Sequence, residues 1–111
     1  MHLNEKCPQL IYCDSVYDFK GRFWVVLEFM DGGSMGDLIK SAFSGDSLCD
    51  TTYQDFSEDF IRWSLYQVVL GLHAMHEENI LHRDVKSDNI LFRKNGEVKL
   101  ADLGFSVFLS E

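Results

Sequence analysis

Residues 82–104 read HRDVKSDNILFRKNGEVKLADLG, and the fold is decided there. Two short apolar runs, Ile90-Leu91-Phe92 and Val98-Lys99-Leu100-Ala101, flank Lys94-Asn95-Gly96-Glu97. Asn-Gly between apolar runs is the strongest short hairpin signal, because both central residues of a type I′ turn need positive φ. With Asn95 and Gly96 as the two turn residues, Leu91 opposes Leu100 and Asn89 opposes Asp102. Opposed Cα atoms lie about 4.5–5.5 Å apart. An amide oxygen and a carboxylate at that separation suit a divalent cation of the Mg2+ type, which takes few protein ligands and completes its shell with water and phosphate oxygens. Ahead of this clip, residues 82–89 form a polar segment between a helix and a strand, a position in which loops often carry function.

Working outward, Ser57 suits an N-cap, and Glu58 and Asp59 suit the positive end of a helix dipole. Ile61, Leu65, Val68, Leu72 and Met75 recur at helical spacing and predict a helix over 58–78, which Asn79 can end by turning left-handed. Phe60, Trp63, Val69 and Leu70 lie off that stripe, so this helix is expected to be buried on more than one side. Residues 9–17 (QLIYCDSVY) and 22–29 (RFWVVLEF) predict an antiparallel hairpin around a turn at 18–21. Asp31-Gly32-Gly33-Ser34 breaks the pattern as a joint, a short helix is expected over 35–43, and the Ser/Asp/Thr-rich 44–54 reads as a loop. Two hairpins around a helical middle, without βαβ alternation, make an α+β chain.

The 111 residues carry 18 acidic and 10 basic side chains, a formal net charge of −8, with 46% hydrophobic and 25% charged residues. This composition supports one soluble domain at most and excludes collagen-like, low-complexity and mostly disordered classes. Without a Lys/Arg block, neither nucleic acid nor an anionic membrane is an expected partner. Cys7, Cys13 and Cys49 are odd in number and form no CxxC pair, which suits core residues in a reducing compartment, the cytoplasm or nucleus. No apolar run approaches the roughly 20 residues of a membrane span. His73, His76 and His82 lack the fourth ligand that a zinc site needs. Asp46, Asp50, Asp55 and Asp88 read as solvated surface.

The segment His82-Arg83-Asp84-Val85-Lys86-Ser87-Asp88-Asn89 resembles the protein-kinase catalytic loop H-R-D-x-K-x-x-N, and Asp102-Leu103-Gly104 resembles the metal-binding D-F-G. The spacing from Asp84 to Asn89 and the strand, turn and strand before Asp102 follow the same order. The resemblance implies a partial protein-kinase fold, with 1–30 as the end of the small-lobe sheet, 31–34 as the hinge, and 35–111 as the start of the large lobe through D-L-G into the early activation segment. It implies Asp84 as the base that accepts the substrate hydroxyl proton, and Lys86 as the cation facing the transferred phosphoryl group. Asn89 would be a Mg2+ ligand and Asp102 the ligand that bridges metal and phosphates. ATP and a protein substrate are the implied partners. Lysine two residues after the aspartate resembles serine/threonine-directed kinases. The wording through Ile90-Leu91, with Gly104-Phe105, is similar to the sterile-twenty group including its Rac/Cdc42-effector members, which implies small-GTPase-linked regulation of the parent.

Val25-Val26-Leu27-Glu28-Phe29-Met30-Asp31-Gly32-Gly33-Ser34 resembles the fifth small-lobe strand running into the hinge, with Leu27 as gatekeeper. In that reading the Glu28 C=O and Met30 N–H bond adenine, Leu91 forms its floor and Ser34 lies near the ribose. Leu103 stands where the family has phenylalanine, which takes an aromatic ring out of the packing against His82. Arg83 implies pairing with an activation-loop phosphate.

No G-x-G-x-x-G occurs in the chain, and the ATP-phosphate lysine and A-P-E motif would lie outside it. The chain therefore reads as a fragment that does not catalyse transfer alone and that exposes apolar surface. Two other classes stand beside this reading. A pseudokinase or scaffold is opposed by the intact Asp84, Lys86, Asn89 and Asp102. A metal-dependent nuclease using Asp84, Asp88 and Asp102 is opposed by the acidic charge and the lack of a basic groove.

Overall fold

Lys20 and Gly21 both take positive φ, 52° and 70°, the type I′ geometry whose twist matches that of paired strands. They join β1 (Cys13–Phe19) to β2 (Arg22–Leu27), with Phe19 opposite Arg22 and an irregularity between Cys13 and Ser15. The turn is thus tighter than the expected 18–21. The structure, a computed structural model, describes residues 7–44 and 57–109. The loop expected over 44–54 lies outside the described residues apart from Ser44, as do Cys49, Asp46, Asp50 and Asp55.

The expected strand over 9–17 divides in two. Leu10 bridges Leu100 in parallel, the Ile11 N–H donates to Leu100 O at 3.0 Å, and the Leu100 N–H donates to Gln9 O at 2.7 Å. Leu10 is 1% exposed in the core, whereas Val16, Tyr17 and Phe19 further along are well exposed. One apolar run therefore serves two sheets, a division that residue type does not encode.

Past β2 the chain enters β3 (Gly33–Ser34), then α1 (Met35–Ser44). Ser34 Oγ accepts the Asp37 N–H at 3.0 Å while Asp37 Oδ2 accepts the Ser34 N–H at 3.2 Å, a reciprocal cap that satisfies amides left unpaired at a helix start. Helix α2 (Glu58–Glu77) begins as expected, with Ser57 Oγ accepting the Phe60 N–H at 3.1 Å. It ends at Asn79, which takes φ 58°. Its buried face consists of Ser64, Gln67, Val68, Gly71 and Met75. Val68, Met75 and, in part, Leu72 of the expected stripe pack inward, but Ile61 and Leu65 are exposed, and exposed Trp63 and Val69 correct the expectation of burial on more than one side. Small and polar residues occupy the face because residues 9–10 run close against it. A Cβ on Gly71 would lie 3.3 Å from Gln9 O, and Gln9 Nε2 donates to Gln67 Oε1 at 3.0 Å.

After α2 come β4 (Ile80–Leu81), a 3-10 turn (Ser87–Asn89), β5 (Ile90–Phe92), β6 (Val98–Leu100), a second 3-10 turn (Leu103–Phe105) and β7 (Val107–Phe108). Strands β3, β5 and β6 form one sheet in that order, and β4 pairs with β7. Ile90, Phe92, Val98 and Leu100 face the core with Leu10, Val68 and Met75, where the Phe60 and Phe92 rings stack at 5.4 Å. Leu91, on the other face, packs with Ile11, Met30 and Ala101.

The β5–β6 register differs by one residue from the expected one. Ile90 opposes Leu100, Leu91 opposes Lys99 and Phe92 opposes Val98. The Gly96 N–H donates to Arg93 O and the Arg93 N–H to Glu97 O, both at 2.9 Å, with Gly96 at φ 96°. This is a three-residue loop, a turn followed by a glycine in positive φ, rather than the two-residue turn that Asn-Gly suggests. Consequently Asn89 does not oppose Asp102. Its carbonyl accepts the Ala101 N–H at 2.8 Å instead.

Candidate active site

The antiparallel pairing of Ile80 with Phe108 and Leu81 with Val107 draws residues 82–84 alongside residues 101–105. His82, 2% exposed, fixes the crossing. Its Nδ1 accepts the Asp84 N–H at 3.1 Å, so the ring proton sits on Nε2, which donates to Ala101 O at 2.9 Å. Both ring nitrogens are occupied, which leaves neither for a zinc ion. The ring is held by hydrogen bonds and not by the aromatic contact that Leu103 removes; Leu103 is itself 39% exposed. Arg83 takes φ 65° and donates from Nε to Phe105 O at 2.7 Å.

Asp84 is the centre of the site. Its Oδ2 lies 3.0 Å from Lys86 Nζ and accepts from Asn89 Nδ2 at 3.1 Å, and its carbonyl accepts from the same amide at 2.9 Å. The 3-10 turn Ser87–Asn89 brings Asn89 back to Asp84, and burial holds it there. The Lys86 hydrogen bond, with the lysine charge and the Asn89 bond, holds the Asp84 carboxyl below its ordinary range. The same hydrogen bond raises the Lys86 ammonium, which also feels Asp102 and Asp88. At neutral pH the pair is a carboxylate beside a cation. Asp88, expected as solvated surface, is exposed and lies 4.0 Å from Lys40.

Asp102 takes a left-handed conformation, φ 62° and ψ 76°, which turns the chain out of β6. Its Oδ1 accepts the Gly104 N–H at 3.2 Å. A Mg2+ ion takes hard oxygen donors. Asn89 commits its amide nitrogen to Asp84, which leaves Oδ1 as the oxygen it could offer a cation, and Asp102 has a second carboxylate oxygen beside the one that holds the Gly104 N–H. An amide oxygen and a carboxylate oxygen are donor types that suit such an ion.

The residues expected to meet a nucleotide base lie across the Leu91 face. Leu27 ends β2 and is 46% exposed, Met30 is buried, and Leu91 packs on Met30. Among the described residues, no backbone hydrogen bond uses Glu28 O or Met30 N. Ser34 is buried, with its hydroxyl bonded to Asp37, which sequence reading placed only beside a ribose. Sequence reading also missed the side chains around Glu28. Arg93 Nη2 and Lys99 Nζ reach its two carboxylate oxygens at 2.5 and 2.6 Å. Alternation along each strand groups 91 with 93 and 97 with 99, but only the observed register puts both groups on one face, so the sequence carried no signal that would have joined them.

The 82–89 loop lies against a hairpin that ends in a left-handed aspartate, the arrangement the resemblance to protein kinases leads one to expect. The Protein kinase domain family matches residues 1–111, and the chain belongs to that family. It is similar to the serine/threonine-protein kinase MST20 of Pyricularia oryzae, 35% identical over 104 residues, 94% of this chain and 10% of that protein. It is similar to the serine/threonine-protein kinase STE20 of Saccharomyces cerevisiae, 34% identical over 106 residues, 96% of this chain and 10% of that protein. The serine/threonine-protein kinase CLA4 of Eremothecium gossypii is 36% identical over 88 residues, 79% of this chain and 11% of that protein. The chain spans about a tenth of the length of these curated relatives. No helix among the described residues is long and apolar enough to cross a membrane.

Proposed function

We propose that this chain is the hinge and catalytic-loop portion of a cytoplasmic serine/threonine protein kinase that transfers the γ-phosphoryl group of ATP to protein hydroxyls. Residues 1–30 are the end of its small lobe, 31–34 the hinge and 35–111 the start of its large lobe. The observation that carries the reading is the Asp84 carboxylate bonded at once to Lys86 and Asn89, in the loop that His82 ties to Ala101, the residue before Asp102. The cytoplasmic placement rests on Cys7 and Cys13, which are free thiols.

In this reading Asp84 accepts the proton of the substrate hydroxyl as its oxygen approaches phosphorus. The lowered carboxyl keeps Asp84 ionised for that task. Lys86 holds Asp84 in place and offers its charge to the phosphoryl oxygens, since phosphoryl transfer gains most from positioning and charge neutralisation. Asn89 and Asp102 would hold Mg2+, which supplies charge neutralisation at the phosphates when bound. The Glu28 carbonyl and Met30 amide take the adenine edge, Leu91 its face, Leu27 borders the pocket and Ser34 lies toward the ribose. Protein substrates and small-GTPase-linked control belong to the intact protein.

The test is Asp84→Asn in the intact protein, measured with ATP, Mg2+ and a generic serine/threonine substrate. Transfer is expected to fall about 10²–10⁴-fold with ATP affinity retained. Normal transfer by that variant would overturn the assignment.

A further inference from the structure

Glu28 does more in this structure than present a backbone carbonyl. Its Oε1 accepts the Tyr12 N–H at 2.6 Å and the Lys99 ammonium at 2.6 Å, and its Oε2 accepts from Arg93 at 2.5 Å. The Glu28 N–H in turn donates to Tyr12 O at 3.0 Å. Arg93 and Lys99 share the Leu91 face of the β5–β6 hairpin with Glu97, and Arg93 Nε lies 3.1 Å from Glu97 Oε2. Two acids and two bases thus balance on one sheet face, beside the apolar group Met30, Leu91, Ile11 and Ala101. Two further bonds run from the same hairpin to the segment after Glu28: the Lys94 N–H to Asp31 Oδ1 at 2.9 Å and the Gly32 N–H to Phe92 O at 2.8 Å.

We propose that Glu28 is a positioning residue, its carboxylate clamping the 28–30 segment between Tyr12 and the Arg93 and Lys99 side chains so that the carbonyl of Glu28 and the amide of Met30 meet adenine in one fixed geometry. The proposal rests on the kinase reading for the identity of the ligand, but the clamp is a property of the chain itself. The Glu28 and Lys99 side chains are 17% and 11% exposed, so solvent screens the pair little, and removing one partner strands the other. Burial alone would raise the Glu28 carboxyl, yet the Lys99 hydrogen bond, the Tyr12 amide and the two cationic charges bring it below its ordinary value. The carboxylate therefore stays ionised through the neutral range, and the clamp with it.

Glu28→Gln in the intact protein tests this with two readouts, steady-state kinetics in ATP and amide hydrogen exchange. Coupling through one contact is expected to raise the KM for ATP about threefold to thirtyfold, with kcat held within about twofold because Asp84 and Asp102 are not moved. The Tyr12 amide, which loses its charged acceptor, is expected to exchange faster. Lys99→Met should raise KM likewise, and the double variant should be no worse than the worse single one. Unchanged KM and unchanged Tyr12 exchange in a folded Glu28→Gln protein would overturn the clamp, as would effects of the two substitutions that simply multiply. Should Glu28→Gln not fold, Lys99→Met decides by the same two readouts. The kinase reading fails separately. A protein without phosphoryl transfer whose Tyr12 exchange still responds to Glu28→Gln keeps the clamp and loses the enzyme.

Discussion

The side-chain amide of Asn89 donates to both the carbonyl and the carboxylate of Asp84, at 2.9 and 3.1 Å, so one residue closes the loop that presents another. Asn89→Ala therefore removes two things together, the brace on Asp84 and an oxygen offered to the metal. Its transfer rate should fall by at least about 10²-fold, and excess Mg2+ should not restore it. A magnesium titration of initial rates checks this, and full rescue would reduce Asn89 to a metal ligand alone.

With Asp84 as the proposed base, Lys86 is expected to set the acid limb of the rate profile. Its hydrogen bond is the leading cause of the lowered Asp84 carboxyl, so the base stays ionised above its ordinary value of 3.8 and is lost only below it. Lys86→Met removes that cause, and the acid limb of kcat/KM should move to higher pH. A limb that stays in place would show that Asp84 is not the titrating base.

Acid stability follows from Glu28. Because its folded value is lowered from 4.5, its contribution to stability is complete above 4.5 and disappears as pH falls from there through the folded value. Glu28→Gln should flatten the fall in melting temperature over that interval.

The cap at Ser57 makes a local prediction. Ser57→Ala leaves the Phe60 N–H without its partner and should lower stability by about 1 kcal/mol, whereas Ser57→Gly should lose only a few tenths. Urea denaturation of the intact protein checks this through the midpoint at constant slope.

Gly32 makes a sharper one. A Cβ there would sit 2.7 Å from the Phe92 carbonyl oxygen, backbone against backbone, with no flexible atom to yield. Gly32→Ala should lower stability by about 1–3 kcal/mol and weaken ATP binding by pushing 30–33 away from β5.

Much of this was legible in the residues. Ser57 announced its helix and Asn79 its end, because a cap is a local interaction written in residue type. The loop from His82 to Asn89 and Asp102 were legible through their spacing. The register was not, because Asn-Gly serves both a two-residue turn and a three-residue loop closed by glycine, and the choice shifts every partner by one. The buried face of α2 was not either. Ser64, Gln67 and Gly71 face inward because residues 9–10 pass there, and nothing near α2 in sequence reveals a strand that arrives from so far away. Glu28 was read for its backbone alone, since its partners Arg93 and Lys99 come from a separate hairpin.

The parallel bridge between Leu10 and Leu100 bears on how the protein is made. During synthesis Leu10 leaves the ribosome long before its partner exists, and contacts of such separation form slowly because loop closure precedes their reward. The core around Met75 can therefore seal only once Val98–Leu100 has emerged, and the next residues out are Ala101 and Asp102. The docking of the 82–89 loop beside Asp102 and the completion of this interior thus arrive together, and a nascent chain halted before that point would meet the cell's chaperones with Leu10 uncovered.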